Sequence, residues 1–135
     1  MKYTKLHPDA RIEKAYSGDA GFDLYCTQID DDLTYHTGIA VEIPEGYFGL
    51  LCERSSCYKI GTTLINSVGI IDSGYRGEIV AKFRRYDASK ETYKVGDKFI
   101  QLIILPLPII ELEEVDKLSD SERGKKSFGS STKTS

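Results

Sequence analysis

Hydrophobic positions in this chain come in short bursts: Phe22 to Tyr25, Ile39 to Ile43, Tyr47 to Leu51, Ile79 to Phe83 and Phe99 to Leu105. Each burst is bounded by turn formers, and Pro44-Glu45-Gly46 and Val95-Gly96-Asp97 are turn signals between them. Nowhere do apolar residues recur at i, i+3, i+4 and i+7 over several turns, so the pattern predicts many short strands in an all-β sandwich or barrel. One short helix is predicted after Arg54. There Ser55 or Ser56 can cap the free amides of a first turn ahead of Tyr58-Lys59-Ile60, with Gly61 ending it. Such a turn would aim its amides at an anion. From about Ser119 onward the composition shifts to Ser, Lys, Gly and Thr. The chain therefore divides into a β-domain over residues 1–118 and a mobile tail over 119–135. No internal repeat is apparent.

A length of 135 residues, 40% of them hydrophobic, suits one globular domain. A net charge of −3 argues against stable nucleic-acid or membrane binding through bulk positive charge, so any anion site must be a local cluster. Cys26, Cys52 and Cys57 are odd in number and form no CxxC pair, which supports neither a complete disulfide framework nor a four-ligand zinc site. The N-terminus lacks a long apolar core, and no stretch approaches the roughly 20 apolar residues of a membrane span. These features predict a soluble, intracellular protein.

Glycines and a carboxylate interrupt the apolar pattern at Gly69-Ile70-Ile71-Asp72-Ser73-Gly74-Tyr75-Arg76-Gly77. Strand interiors avoid Gly and Asp, so their placement between Ile70, Ile71 and the returning Ile79, Val80 predicts a hairpin turn, built around a site. Alone, the segment reads more readily as an ordinary tight turn with a solvated Asp, and Asn66 as a turn-forming Asn. Phe128, amid Arg123, Lys125 and Lys126, fits a docking tail and an incidental aromatic equally well. Only His7 and His36 are present, and neither lies within these segments. A carboxylate is then the natural general base, and Asp72 is the candidate.

Five blocks rich in Gly, Ser, Asp, Arg, Gln or an aromatic span nearly the whole chain. They are Ala15 to Leu24; Glu53-Arg54-Ser55-Ser56; Asn66 to Gly77; Gly96-Asp97-Lys98-Phe99-Ile100-Gln101-Leu102; and Arg123 to Ser131. In this order and spacing they resemble the five motifs of the trimeric dUTPase family. The resemblance implies a jelly-roll-like (β-clip) subunit of a homotrimer with a flexible C-terminal tail. It also implies hydrolysis of dUTP to dUMP and pyrophosphate, which limits uracil incorporation into DNA and supplies dUMP for thymidylate synthesis.

Residue by residue, the resemblance implies that Asp72 orients the water attacking the α-phosphorus and contacts the deoxyribose 3′-hydroxyl. Tyr75 would pack beneath the sugar and leave no room for a 2′-hydroxyl. Asn66, Gly69 and Ile71 would belong to a hairpin that reads the edge of uracil, with Phe128 stacking on the base. Arg54, Ser55, Ser56, Gln101, Arg123, Gly129, Ser130 and Ser131 would bind the phosphates, for which most are suitable donors. Mg²⁺ would arrive with the nucleotide, held chiefly by triphosphate oxygens and reached by Asp23 through water. Each site would draw on three chains. One would give the Asp23, Arg54 and Gln101 blocks, a second the Asn66 to Tyr75 hairpin, and a third the tail.

Ser127 stands where the family usually has Gly, which makes the backbone before Phe128 less permissive. A dCTP deaminase of the same superfamily is the nearest alternative, but a Glu is expected there beside the hairpin where this chain offers Asp72. A non-catalytic nucleotide-sensing module is the second. It would have no need of a water-activating carboxylate.

Overall fold

The computed structural model describes residues 1–129. Ten strands form among them: β1 (Lys2–Lys5), β2 (Ile12–Glu13), β3 (Gly21–Tyr25), β4 (Gln28–Ile29), β5 (Thr34–Glu42), β6 (Tyr47–Cys52), β7 (Thr62–Leu64), β8 (Gly69–Ile71), β9 (Glu78–Arg85) and β10 (Lys98–Pro106). Each of the five apolar bursts lies wholly or mainly in one strand, respectively β3, β5, β6, β9 and β10. The strands make two antiparallel sheets in a jelly-roll-like sandwich. One runs β1-β5-β9-β7 with β4 also on β5, and the other runs β2-β3-β10-β6-β8.

Alternation of side chains along each strand divides inner from outer residues. Leu24, Leu51 and Leu102 point inward from the second sheet, and Ile39, Val41, Ile79, Ala81 and Phe83 do so from the first. An aromatic cluster of Tyr35, Phe83, Tyr93 and Phe99 fills the centre, with the Tyr35 and Phe83 rings 4.8 Å apart edge to face. Such pairs add about 0.5–1.5 kcal/mol beyond the area they bury.

Two local expectations are corrected. The short helix predicted after Arg54 forms as a 3-10 helix over Ser55–Lys59, but neither Ser55 nor Ser56 caps it. Arg54 holds the cap position with extended backbone and no side-chain capping bond. Five residues are too few to propagate an α-helix, and the turn closes with the Cys57 amide donating to the Arg54 carbonyl at 3.0 Å. The predicted hairpin pairing of Ile70, Ile71 with Ile79, Val80 does not form either. β8 pairs β6 in one sheet, while β9 pairs β5 and β7 in the other. The Asp72–Gly77 segment is a crossing between sheets, because β8 pairs with β6 while both edges of β9 are taken by β5 and β7.

Beyond β10 the chain carries no strand among the described residues. Ile109, Ile110, Leu112 and Leu118 stand largely in solvent there, Leu112 almost wholly.

A polar clamp ties β4, β5 and β9. His36 Nε2 lies 2.8 Å from Asp30 Oδ2, and His36 Nδ1 lies 2.9 Å from Glu78 Oε1. The two carboxylates, Asp30 foremost, hold the imidazole pKa above its ordinary value, and His36 in turn holds that of Asp30 below its own. A raised folded pKa stabilises fully below the unfolded value of about 6.5 and is lost as pH rises through the folded one. The Asp30 contribution has the opposite sense, present above about 4 and lost as pH falls further. Thermal midpoints should therefore decline between about pH 6 and pH 9, and His36→Gln should flatten that slope. Parallel slopes for the two proteins would remove the clamp from the pH dependence.

Candidate active site

The outer face of the second sheet gathers polar residues from three strands. Asp23 of β3 lies opposite Gln101 of β10, and Gln101 lies opposite Cys52 of β6, so all three side chains share one face. Arg54, two residues past Cys52, folds back and its Nε donates to Asp23 Oδ1 at 3.1 Å. Gln101 Nε2 donates to the Glu53 carbonyl at 3.0 Å, fixing the backbone just before Arg54. The first, second and fourth blocks thus meet in one patch.

A β-bulge extends this patch. The register between β10 and β3 shifts between Lys98 and Ile100, so Phe99 and Ile100 both go into the core. Without the shift, Lys98 and Gln101 would face opposite sides. With it, Lys98 joins Asp23 and Gln101, its Nζ 3.7 Å from Asp23 Oδ2. Asp23 is therefore shared between two cations, both of which are half-exposed and oriented by it. Tyr25 and Glu13 close the edge of the patch with a hydroxyl-to-carboxylate hydrogen bond. That bond lowers the Glu13 pKa, while burial first and Glu13 second raise that of Tyr25. Gly21 supplies room for the Gln101 side chain, which would collide with any Cβ there.

The third block forms a cleft instead of a ladder. β7 ends one sheet and β8 the other, and the connection between them turns at Ser67, whose φ is +62°. Its arms are splayed, each paired on its outer side alone, which leaves a cavity of about 280 Å³ lined by Leu64, Asn66, Gly69, Ile71 and Val80 among others. Gly69 is buried against Leu51, and a Cβ there would come within 3.2 Å of the Leu51 Cβ. Unpaired backbone groups of the β8 edge face this space, so the cleft can satisfy a planar ligand edge that offers both donors and acceptors.

Asp72 follows β8 at the mouth of the turn. It is exposed, and its carbonyl accepts from the Tyr75 amide at 3.1 Å. The Tyr75 hydroxyl donates to the Glu78 carbonyl at 2.8 Å, which lays the ring across Gly77. Arg76 pins the turn through its Nη1 to the Ser73 carbonyl at 2.6 Å and an ion pair with Glu42 at 3.6 Å.

Ser55 and Ser56 lie on the 3-10 turn beside Arg54, with Ser56 Oγ 3.5 Å from Arg54 Nη1. Arg123, Phe128 and Gly129 lie on the exposed tail and are not brought to the patch. Arg123 Nε donates to the Lys126 carbonyl within the tail, and Phe128 is fully exposed. Ser130 and Ser131 fall outside the described residues.

Lys98, Gly21 and Glu53 belong to the site although the sequence does not single them out. Lys98 lies within the fourth block, but only the bulge reveals which face it takes. Glu53 accepts from Thr63 Oγ1 at 3.0 Å, and its Oε1 is buried without a partner among the described residues. A glutamate directly before an arginine gives no sign of that.

A family model described as dUTPase matches residues 9–132. The deoxyuridine 5′-triphosphate nucleotidohydrolase of Tropheryma whipplei (strain Twist) is 40% identical over 131 residues, covering 88% of this chain and 86% of that protein. The protein of the same name from Clostridioides difficile is 40% identical over 139 residues, covering 96% of each. Among solved structures, the Staphylococcus bacteriophage 80alpha dUTPase with dUPNHPP superposes with a TM-score of 0.83 at 29% identity, covering 97% of each chain. A point mutant of the dUTPase from phage phi11 of S. aureus, in which a structural Mg(II) ion is coordinated, gives 0.71 at 26% identity over 86% of this chain and 96% of that one. With the family model spanning residues 9–132 and relatives 40% identical over most of the chain, the chain belongs to the dUTPase family.

Proposed function

We propose that this protein hydrolyses dUTP to dUMP and pyrophosphate. The observation that carries the reading is the outer-face patch, where Asp23 orients Arg54 and Lys98 while Gln101 fixes the backbone at Glu53. Two half-exposed cations and an amide held in place suit a polyphosphate, since donors oriented before binding cost no reorganisation. The open cleft between β7 and β8 suits a base edge, read by backbone groups of Gly69 and Ile71 with Asn66 beside them. A methyl at the thymine position or the amino group of cytosine would meet the wrong partner there.

In the reaction, Asp72 takes the proton of the water that attacks the α-phosphorus in line, and pyrophosphate departs. Arg54, Ser55, Ser56 and Gln101 hold the leaving oxygens. Tyr75 occupies the space beneath the sugar. Magnesium fits this donor set only in an outer role. Both oxygens of Asp23 already face cations, and among the described residues no three His, Cys, Asp or Glu side chains are placed to hold a metal ion. Asp23 would hold the ion's waters, and the ion would neutralise triphosphate charge.

The assembly proposed is a homotrimer with sites at the subunit interfaces. Ile109, Ile110, Leu112 and Leu118 form an apolar arm that a lone subunit leaves in water, and a second copy is the natural cover. The arm leads directly into the tail, through which Arg123, Phe128 and Gly129 would reach a neighbour's site. There Phe128 stacks on the base and closure excludes bulk water.

Two variants test these roles. Asp72→Asn should keep dUTP binding, measured calorimetrically, while turnover falls by about 10² to 10⁴, the usual range for loss of a general base. Near-normal turnover would contradict the assignment. Phe128→Ala should weaken productive binding by about 1–3 kcal/mol, the cost of losing one base stack. Unchanged KM and kcat would leave the tail without a part in the site.

A further inference from the structure

The clamp around His36 sits where the β5–β9 ladder is broken, and the break lies at the foot of the turn that carries Tyr75. His36 pairs with Val80 and Ala40 with Glu78, so four steps along β5 match two along β9. Gly38, at φ +66°, stands in the resulting bulge. With the ladder interrupted, side chains hold the start of β9 in its place. Glu78 Oε2 accepts from the Gly38 amide at 2.8 Å, Glu78 Oε1 meets His36 at 2.9 Å, and Thr37 Oγ1 donates to the Ile79 carbonyl at 2.6 Å.

Tyr75 depends on that anchorage. Its hydroxyl donates to the main-chain carbonyl of Glu78, the residue whose carboxylate is clamped. Its ring lies over Gly77, where a Cβ would stand 2.5 Å from the hydroxyl oxygen and would lift the ring away. We propose that Glu78 is a positioning residue for sugar selection: clamped by His36 and the Gly38 amide, it sets the height of the Tyr75 ring over Gly77. The inference rests on Tyr75 lying beneath the sugar, as proposed above.

A pH dependence follows from the geometry. Asp30 faces His36 from the turn after β4 and Glu78 faces it from β9. Asp32 and Lys82, paired at 3.2 Å, lie one step beyond Asp30. Protonated His36 donates to both carboxylates at once, whereas the neutral ring has one N–H and must release one of them. Loss of the second bond frees the Glu78 carboxylate or its Asp30 counterweight, and the Tyr75 carbonyl acceptor loosens with it.

The test is the ratio of kcat/KM for dUTP to that for UTP, followed from about pH 6 to pH 9. A ratio cancels the titration of the phosphates and of any other group that acts on both substrates alike. In the unaltered protein the ratio should fall as pH rises. In His36→Gln it should be pH-independent and lower by about 10-fold, inside the roughly 10²-fold cost of a 1 Å misplacement. Gly77→Ala should lower it as well, with Glu78→Gln retaining the Gly38 contact and falling between. Tyr75→Ala separates the two layers of the argument. If it leaves the ratio unchanged, the seat of Tyr75 beneath the sugar is wrong and the inference falls with it. If it collapses the ratio while His36→Gln, Glu78→Gln and Gly77→Ala keep the unaltered value at every pH, Tyr75 selects the sugar unaided and the positioning role is overturned.

Discussion

Strand β10 is hydrogen-bonded on both edges, to β3 and to β6, and its bulge at Phe99–Ile100 is the constraint on which the proposed phosphate patch depends. The inner side of the strand is committed to the core through Phe99, Ile100 and Leu102, all fully buried. That commitment leaves the outer side rigid. The bulge then adds one residue to the spacing, so that Lys98 joins Gln101 on the face of Asp23 and reaches its carboxylate. Arg54 completes the patch because Cys52 is fixed opposite Gln101 two residues earlier. A strand held by its neighbours and by its buried face is a precise support for polar side chains, more so than a loop.

Across the second sheet, β6 connects this patch to the cleft. Leu51 pairs with Gly69 and Cys52 with Gln101, so adjacent residues of one strand lie beside the proposed base-reading edge and the proposed phosphate-binding row. The chain from β7 to β9 trades the local pairing of a hairpin for outward pairing to both sheets. That exchange leaves β7 and β8 with unpaired inner edges, which ordinary folds avoid and which a ligand can satisfy. The apolar arm after β10 carries the same implication at the level of assembly. In the proposed assembly a second copy covers that arm.

The strands of this fold are legible in the sequence because each apolar burst ends in turn formers, and Phe22–Tyr25 or Phe99–Leu105 need no tertiary information to be read. Pairing is not legible. Ile70, Ile71 and Ile79, Val80 look like the arms of a hairpin, but register is decided by partners far away in the chain, here Leu50 and His36. The short helix at Ser55–Lys59 is legible, but its cap is not, since serines signal a helix start without fixing which residue takes the cap position. In the site, Asp23, Arg54 and Gln101 stand out from their blocks and lie together in space. Lys98 does not, because a bulge changes which face a residue takes, and bulges leave no mark in a single sequence. Glycines 21 and 77 carry their meaning through the side chains that lie over them, Gln101 and Tyr75, and that too is visible only in three dimensions.

The most direct measurement is pyrophosphate release from dUTP with Mg²⁺, run beside dCTP, dTTP and UTP under identical conditions. The structure's patch and cleft, acting together, predict turnover confined to dUTP. Equal release from all four would contradict a cleft that reads the base and a ring that reads the sugar. Tight dUTP binding without release from any of them would contradict the catalytic role of Asp72 and leave a nucleotide-sensing module.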